Sequence, residues 1–275
     1  MGGYVVSTPE ERSEMLKAIG CDTLDALYQD VPSSLMVQEL HLPAGLSELE
    51  LSRKMAAIAG KNQVFPTLFR GAGAYRHYIP AVVKKVVSNE TLVTAYTPYQ
   101  AELSQGILQS IFEYQTMMAQ LTGLDVSNAS VYDGATAAAE AIAMCKDRKR
   151  SKTLVSACAH PDTIKTMQTY CFASGSELVL VPQKDGATDL AALQTLLDAE
   201  TCCVYAQQPN FYGLLEDMEQ IGAMAHEAGA KFVMGCNPIA LSLLKAPGEC
   251  AADIATGEAQ PLGMHFPLAA RTVGL

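Results

Sequence analysis

Residues 202–236 read CCVYAQQPNFYGLLEDMEQIGAMAHEAGAKFVMGC. An apolar run from Cys202 to Ala206 is followed by a turn-rich stretch, by the helical segment DMEQIGAMAHEAG, and by a second apolar run from Lys231 to Cys236. Each run has the length of a buried strand, and the segment between them is long enough for the crossover that two parallel strands need. The pattern extends outward on both sides. Ser130 to Tyr132, Thr153 to Cys158, Glu177 to Pro182 and Asp253 to Ala255 read as further strands, with DGATAAAEAIAM, PDTIKTMQTYCFAS and DLAALQTLLDAE as the intervening helices. Such alternation predicts an α/β fold, with a mostly parallel open sheet covered by helices on both faces.

Upstream of residue 126 the signals are helical. Thr8, Pro9 and Glu11 form an N-cap, a proline at the first helical position and a capping-box acid, while Ser47 and Glu50 open a second helix that Gly60 closes. Residues 1–64 are therefore predicted to be a helical N-terminal arm, and residues 65–275 an α/β large domain. The stretch FPTLFRGAGAYRHYIP, 65–80, mixes glycines and prolines with aromatics and cations and is expected to be an ordered, irregular loop. Beyond it AVVKKVVSN predicts a short helix. Ile107, Leu108, Ile111, Met118 and Leu121 place a long helix between Pro98 and Gly123.

Composition narrows the classes. The 275 residues are 49% hydrophobic, with 19 basic against 29 acidic residues and a formal net charge of −10. No basic field exists to hold a nucleic-acid backbone. No secretory leader and no run long enough for a membrane span are apparent, so a soluble, cytoplasmic protein without membrane partners is expected. The 8 cysteines, none as C-x-x-C, are expected to be reduced and structural, and no metal is predicted. Cys202 and Cys203, as strand neighbours, are expected to face opposite ways.

In an open α/β sheet, ligands sit outside the carboxyl ends of the strands. The residues there are Asp133-Gly134-Ala135-Thr136, His160-Pro161-Asp162, Gln207-Gln208-Pro209-Asn210, Gly235-Cys236-Asn237 and Gly257-Glu258-Ala259-Gln260. Gly134, Ala135 and Thr136 open a helix and are the candidates for holding an anion, although for a lone D-G-A-T a plain helix start capped by Asp133 is the commoner case. Neither a dinucleotide fingerprint nor a phosphate loop is present, and no G-x-S-x-G or H-E-x-x-H occurs. His160 and His77 are the better placed histidines, and His226 falls inside a helix. Pyridoxal phosphate needs a lysine for its Schiff base and an acid for its ring nitrogen. The strand KFVMGC ends in Gly235-Cys236-Asn237 with no acid, and no lysine follows Asp253.

Several segments taken together, FRGAGAYRHYIP, TAYTPYQAELSQGILQSIFEYQTMMAQLTG, VYDGATAAAEA, QQPNFYGLLED and ADIATGEAQPLGM, resemble the N-terminal half, subunit 1, of the glycine cleavage system P-protein family. The resemblance runs from about Tyr4 to Met264. It implies a fold-type I pyridoxal-phosphate architecture and a heterotetrameric glycine dehydrogenase in which subunit 2 is the partner and alone holds the cofactor by its lysine. Such a complex decarboxylates glycine and transfers the aminomethyl group to the lipoyl arm of the H-protein. Gln260 here occupies the region of that lysine. The resemblance also places Arg70, Tyr75, Arg76 and His77, with Tyr96, Thr97, Tyr99 and Gln100, near the partner's cofactor. Where the family continues with a glycine-rich segment and a smaller C-terminal domain, this sequence reads HFPLAARTVGL, so the small domain is expected to be missing. Two alternatives stand beside this reading: a truncated non-catalytic binding or assembly module of the complex, and an independent pyridoxal-phosphate enzyme using an earlier lysine such as Lys231. On the family reading, Tyr99→Phe should lower turnover of the assembled enzyme and leave assembly intact, as measured by glycine turnover beside size-exclusion chromatography.

Overall fold

The structure, a computed structural model, describes residues 6–37, 39, 41–69, 75–93, 95–98 and 105–264. The chain divides into two compact units, Met1–Thr67 and Leu68–Leu275. The first carries helices α1 (Pro9–Ala18) and α2 (Glu48–Ala59), each opened by the reciprocal capping box expected for it: Thr8 with Glu11 and Ser47 with Glu50. Neither helix has a buried residue, and α2 exposes Leu49, Leu51, Met55 and Ile58.

The second unit begins with α3 (Ala81–Val87) and α4 (Gly106–Thr122), which ends on the left-handed Gly123. It continues through α5 (Gly134–Met144), β1 (Lys152–Ser156), α6 (Pro161–Ser174), β2 (Leu178–Val181), β3 (Gln183–Lys184), β4 (Ala187–Thr188) and α7 (Leu190–Leu196). The last elements are β5 (Thr201–Gln208), α8 (Met218–Glu227), β6 (Lys231–Cys236) and β7 (Ile254–Gly257). The main sheet is parallel throughout, in the order β2-β1-β5-β6-β7.

Strand alternation sends the apolar residues to two cores. Leu154, Val204, Ala206, Phe232 and Met234 pack with Ile221, Met224 and Leu193 of α8 and α7. Val155, Cys203, Tyr205 and Val233 face Ala138, Ala141, Ile142 and Met167 of α5 and α6. The alanines of α5 let that helix lie close on the sheet. Phe232, fully buried, contributes roughly 1.5–3 kcal/mol by its removal from water.

Two sequence expectations change, and a hairpin joins the expected elements. Ser130 to Tyr132 form no strand; only Val131 makes an isolated bridge, because Asp133 caps α5 directly afterwards and leaves no length to pair. The hairpin β3–β4 went unread, although Asp185-Gly186 at its tip, both with positive φ, is the two-residue turn that twisted strands favour. Cys202 and Cys203 do not face opposite ways. Lys152 pairs with Thr201 and Thr153 with Cys203, so Cys202 is the extra residue of a bulge, and its Sγ lies 3.8 Å from that of Cys203 within one core. His226 lies on α8, inside a helix as expected, and its side chain is half-exposed.

His226 Nε2 pairs with Asp253 Oδ2 at 2.8 Å, while Lys231 Nζ and the Phe232 N–H each donate to the same carboxylate at 2.8 Å. The cluster ties α8, β6 and the approach to β7 together at the amino end of the sheet. Burial by itself would raise the Asp253 pKa, but the hydrogen bonds from Lys231, Phe232 and His226 outweigh it and hold the carboxyl below its ordinary value. A carboxyl held lower in the folded state stabilises fully above its unfolded pKa of about 4, and that contribution is lost as pH falls through the folded value. Asp253→Ala should accordingly cost about 1–2 kcal/mol in urea unfolding at neutral pH, with the gap to the wild type narrowing below about pH 4.

Candidate functional site

The carboxyl ends of β1, β5, β6 and β7 open into a cleft of about 700 Å³. Each wall follows from a strand end. After β1, His160 caps α6: its Nδ1 accepts the Asp162 N–H at 3.1 Å, and its own backbone N–H donates to Gln207 Oε1 at 3.0 Å. After β5 the chain turns at a cis Gln208–Pro209 bond into a loop organised by Asn210, which is buried. Asn210 Nδ2 donates to Gly186 O at 2.8 Å and Glu216 Oε1 at 2.9 Å, and its Oδ1 accepts the N–H groups of Tyr212 and Leu214. The loop sets Phe211 edge-on against the His160 ring, centroids 5.2 Å apart.

The floor is made by β6 and β7. Gly235 sits above the Tyr205 side chain: a Cβ there would lie 2.4 Å from the Tyr205 hydroxyl. Tyr205 is fully buried, bonds to Thr256, and is pushed well above the ordinary phenol pKa by burial. Cys236 beside it is pushed up to about 12 by burial, so it is a protonated thiol and not a nucleophile at neutral pH. Gln260, also buried, donates from Nε2 to Met264 O.

The sequence-predicted residues separate here. Tyr75 and His77 line the cleft, together with Gly134 and Ala135 at the start of α5. Arg76, Tyr96 and Thr97 do not line it, and Tyr96 is almost fully exposed. Arg70, Tyr99 and Gln100 lie outside the described residues. The helix start expected to hold an anion already meets carboxylates of the chain itself: Asp133 Oδ1 accepts the Thr136 N–H at 2.7 Å, and Glu258 Oε2 accepts the Gly134 N–H at 3.1 Å. Lys231, named as one possible Schiff-base lysine, is paired with Asp253 at the opposite end of β6 and does not line the cleft. Sequence reading missed Tyr205, the support beneath the floor. The signal for it was Gly235, since a glycine inside a buried strand marks a close approach.

Does this cleft suit pyridoxal phosphate? Among its described lining residues there is no lysine or arginine, whereas Asp133, Asp162 and Glu258 are carboxylates. Where a ring nitrogen would seek an acid, β6 offers Gly235 with a phenol behind it. These described lining residues do not fit the cofactor. Among the described residues no group of acids, histidines and cysteines suits a metal ion either.

The doubly covered parallel sheet with a cleft at its carboxyl ends defines the chain as a large domain of the fold-type I pyridoxal-phosphate class. Its fold is shared with a NifS-like protein from Rickettsia africae, at 16% identity and a TM-score of 0.54 over 72% of this chain and 54% of that one. The chain belongs to the glycine cleavage system P-protein family, whose model matches residues 3–269. It is 46% identical to the probable glycine dehydrogenase (decarboxylating) subunit 1 of Carboxydothermus hydrogenoformans, over 94% of this chain and 60% of that protein. The subunit 1 of Desulforamulus reducens gives 46% identity over 95% and 59%. The crystal structure of an inhibitor-bound glycine decarboxylase (P-protein) superposes with a TM-score of 0.91 at 38% identity, over 99% of this chain and 62% of that one. The chain thus spans about 60% of the length of the relatives it matches.

Gly235→Ala should destabilise the chain by about 1–3 kcal/mol, because the buried phenol has no room to retreat. In a Tyr205→Phe background, where the hydroxyl is gone, the penalty should shrink, as read from a double-mutant cycle of thermal or urea unfolding.

Proposed function

We propose that this chain acts as subunit 1 of a glycine dehydrogenase (aminomethyl-transferring) in the glycine cleavage system. It works with a subunit 2 that holds pyridoxal phosphate covalently, in a complex that decarboxylates glycine and passes the aminomethyl group to the lipoyl arm of the H-protein. The observation that carries this reading is Gln260, buried just beyond the end of β7, in a cleft whose described lining has no lysine or arginine. On this reading, a P-protein family member whose described cleft lining has no lysine takes part in pyridoxal chemistry through a lysine supplied from outside that lining. The designation of its relatives as subunit 1 supports the existence of that chain.

In this reading the chain's own contribution is shape and exclusion of water. The Asn210-centred loop fixes Phe211 on His160, and Tyr75 and His77 stand at the same mouth. The segments Arg70–Tyr78 and Tyr96–Gln100 are proposed to face the partner's cofactor, where arginines suit a carboxylate or phosphate and tyrosines supply hydroxyls. A cytoplasmic setting belongs to the same proposal, supported by the acidic composition and by cysteines that are all free thiols.

A second reading, an assembly module without a catalytic role, is favoured by α2, whose Leu49, Leu51, Met55 and Ile58 are all exposed. Reconstitution separates the two. Mixed with its subunit 2 and H-protein, the chain should support glycine-dependent exchange of bicarbonate carbon, and borohydride should fix pyridoxal phosphate on the partner alone. A stable complex without exchange selects the assembly module. A borohydride adduct on this chain refutes the division of labour itself.

A further inference from the structure

We infer that Cys145 and Cys203 form a peroxide-responsive thiol pair, a modification site at the amino end of the sheet where oxidation of Cys145 is resolved by a disulfide joining the end of α5 to the start of β5. The inference goes beyond the proposed function and does not depend on it.

Helix α5 starts at the cleft, against the end of β7, and runs back over the sheet, so Cys145, its C-cap, lies at the opposite end. There it packs on the core that holds Cys171, Cys202 and Cys203. Those three are buried and Cys145 is partly exposed, so Cys145 is the sulfur of this group that a small oxidant meets first. Cys203 has two sulfur neighbours. The bulge in β5 turns Cys202 to its side, Sγ to Sγ 3.8 Å, and Thr153 Oγ1 lies 3.6 Å from the Cys202 sulfur and 3.9 Å from that of Cys203. Cys203 also hydrogen-bonds with the Cys145 thiol.

Two ammonium groups border the cluster. Lys146 Nζ donates to Ser174 Oγ at 3.1 Å and Ser176 Oγ at 2.9 Å, lies 3.8 Å from Cys171 Sγ, and its charge acts on Cys202. Lys231 interacts electrostatically with Cys145. Positive charge beside a thiol favours the thiolate, the form that attacks a peroxide. The buried neighbours hold their protons unequally. Hydrogen bonding with Cys203 lowers the Cys202 pKa against the opposing effect of burial, while bonds with Cys145 and Cys202, together with burial, raise that of Cys203. Cys202 is therefore placed as the base beside Cys203.

The oxidant is hydrogen peroxide. The Cys145 sulfur attacks one peroxide oxygen, the O–O bond breaks, and the thiol proton leaves with the other oxygen as water, giving a sulfenic acid. Cys203 passes its proton to Cys202 and attacks the Cys145 sulfur; the S–O bond breaks, and the departing hydroxide takes that proton as a second water. Two thiols lose two electrons and two protons, and one peroxide becomes two waters. The link pins the far end of the helix whose start lines the cleft, and a thiol reductant reverses it by exchange.

The test treats the reduced 275-residue chain with hydrogen peroxide, alkylates the remaining thiols and maps the peptides without reduction. A Cys145–Cys203 link that dithiothreitol removes is expected, with a higher urea unfolding midpoint for the oxidised chain. In Cys203→Ala, dimedone should capture on Cys145 a sulfenic acid that the wild type does not accumulate. Should that variant fail to fold, Cys145→Ser, changed at the partly exposed position, gives a second reading: Cys202 and Cys203 should stay reduced at the peroxide dose that links the wild type. Cys202→Ser should slow closure of the disulfide about tenfold and leave the rate of sulfenic acid formation unchanged. A Cys202–Cys203 or Cys145–Cys171 disulfide overturns the inference, as does over-oxidation of Cys145 without a link. Closure at the wild-type rate in Cys202→Ser overturns the role of Cys202 as base.

Discussion

A helix that begins at the carboxyl end of a parallel sheet presents N–H groups that have no partner inside the helix, and the cleft above the sheet has to answer them. At the start of α5 the answer is two carboxylates, Asp133 from the helix's own cap and Glu258 from the strand end opposite. Much of the rest follows from that contact. β7 is drawn against α5, Gly134 and Gly257 have to pass close together, and carboxylates line this part of the cleft.

The protonation states along the floor agree with this character. Tyr205 and Cys236 are both held neutral by burial, and Asp253, at the far end of the sheet, is kept ionised by its three hydrogen-bonding neighbours. Charge is therefore used at the amino end to lock α8 to β6 and β7. At the carboxyl end it is used to satisfy the start of a helix. The nucleophiles and cations that a pyridoxal enzyme needs at that position are missing among the described lining residues, and packed, neutral or acidic groups stand there instead.

Much of the architecture was legible in the sequence because its signals are local. Lys231 to Cys236 is a strand with the bounds the sequence predicts, since the apolar run Phe232 to Cys236 follows the turn at Gly229 and ends at Asn237. PDTIKTMQTYCFAS was read as a helix with the bounds observed, as Pro161 opens it and Gly175 closes it. Thr8, Glu11, Ser47 and Glu50 announced their helices through a three-residue spacing. The misreadings have non-local causes. Cys202 turns toward Cys203 because the pairing of β1 with β5 slips by one residue, and no feature of CCVYAQQ alone reports on its neighbour strand. Of the site, Tyr75, His77, Gly134 and Ala135 reach the cleft, but Arg76, Tyr96 and Thr97 lie off it, because an irregular loop has no periodicity from which side-chain direction can be read.

By itself the sequence determined most of the succession of strands and helices along the chain and its acidic balance, both properties of composition and short-range pattern. Tertiary structure decided which groups meet: Glu258 with Gly134, the Tyr205 hydroxyl with Gly235, Asp253 with His226 and Lys231. The physical reason is that a hydrogen bond or a steric limit acts over about 3 Å in space, whereas these partners stand 22 to 124 residues apart along the chain, and only the sheet's register brings them within reach.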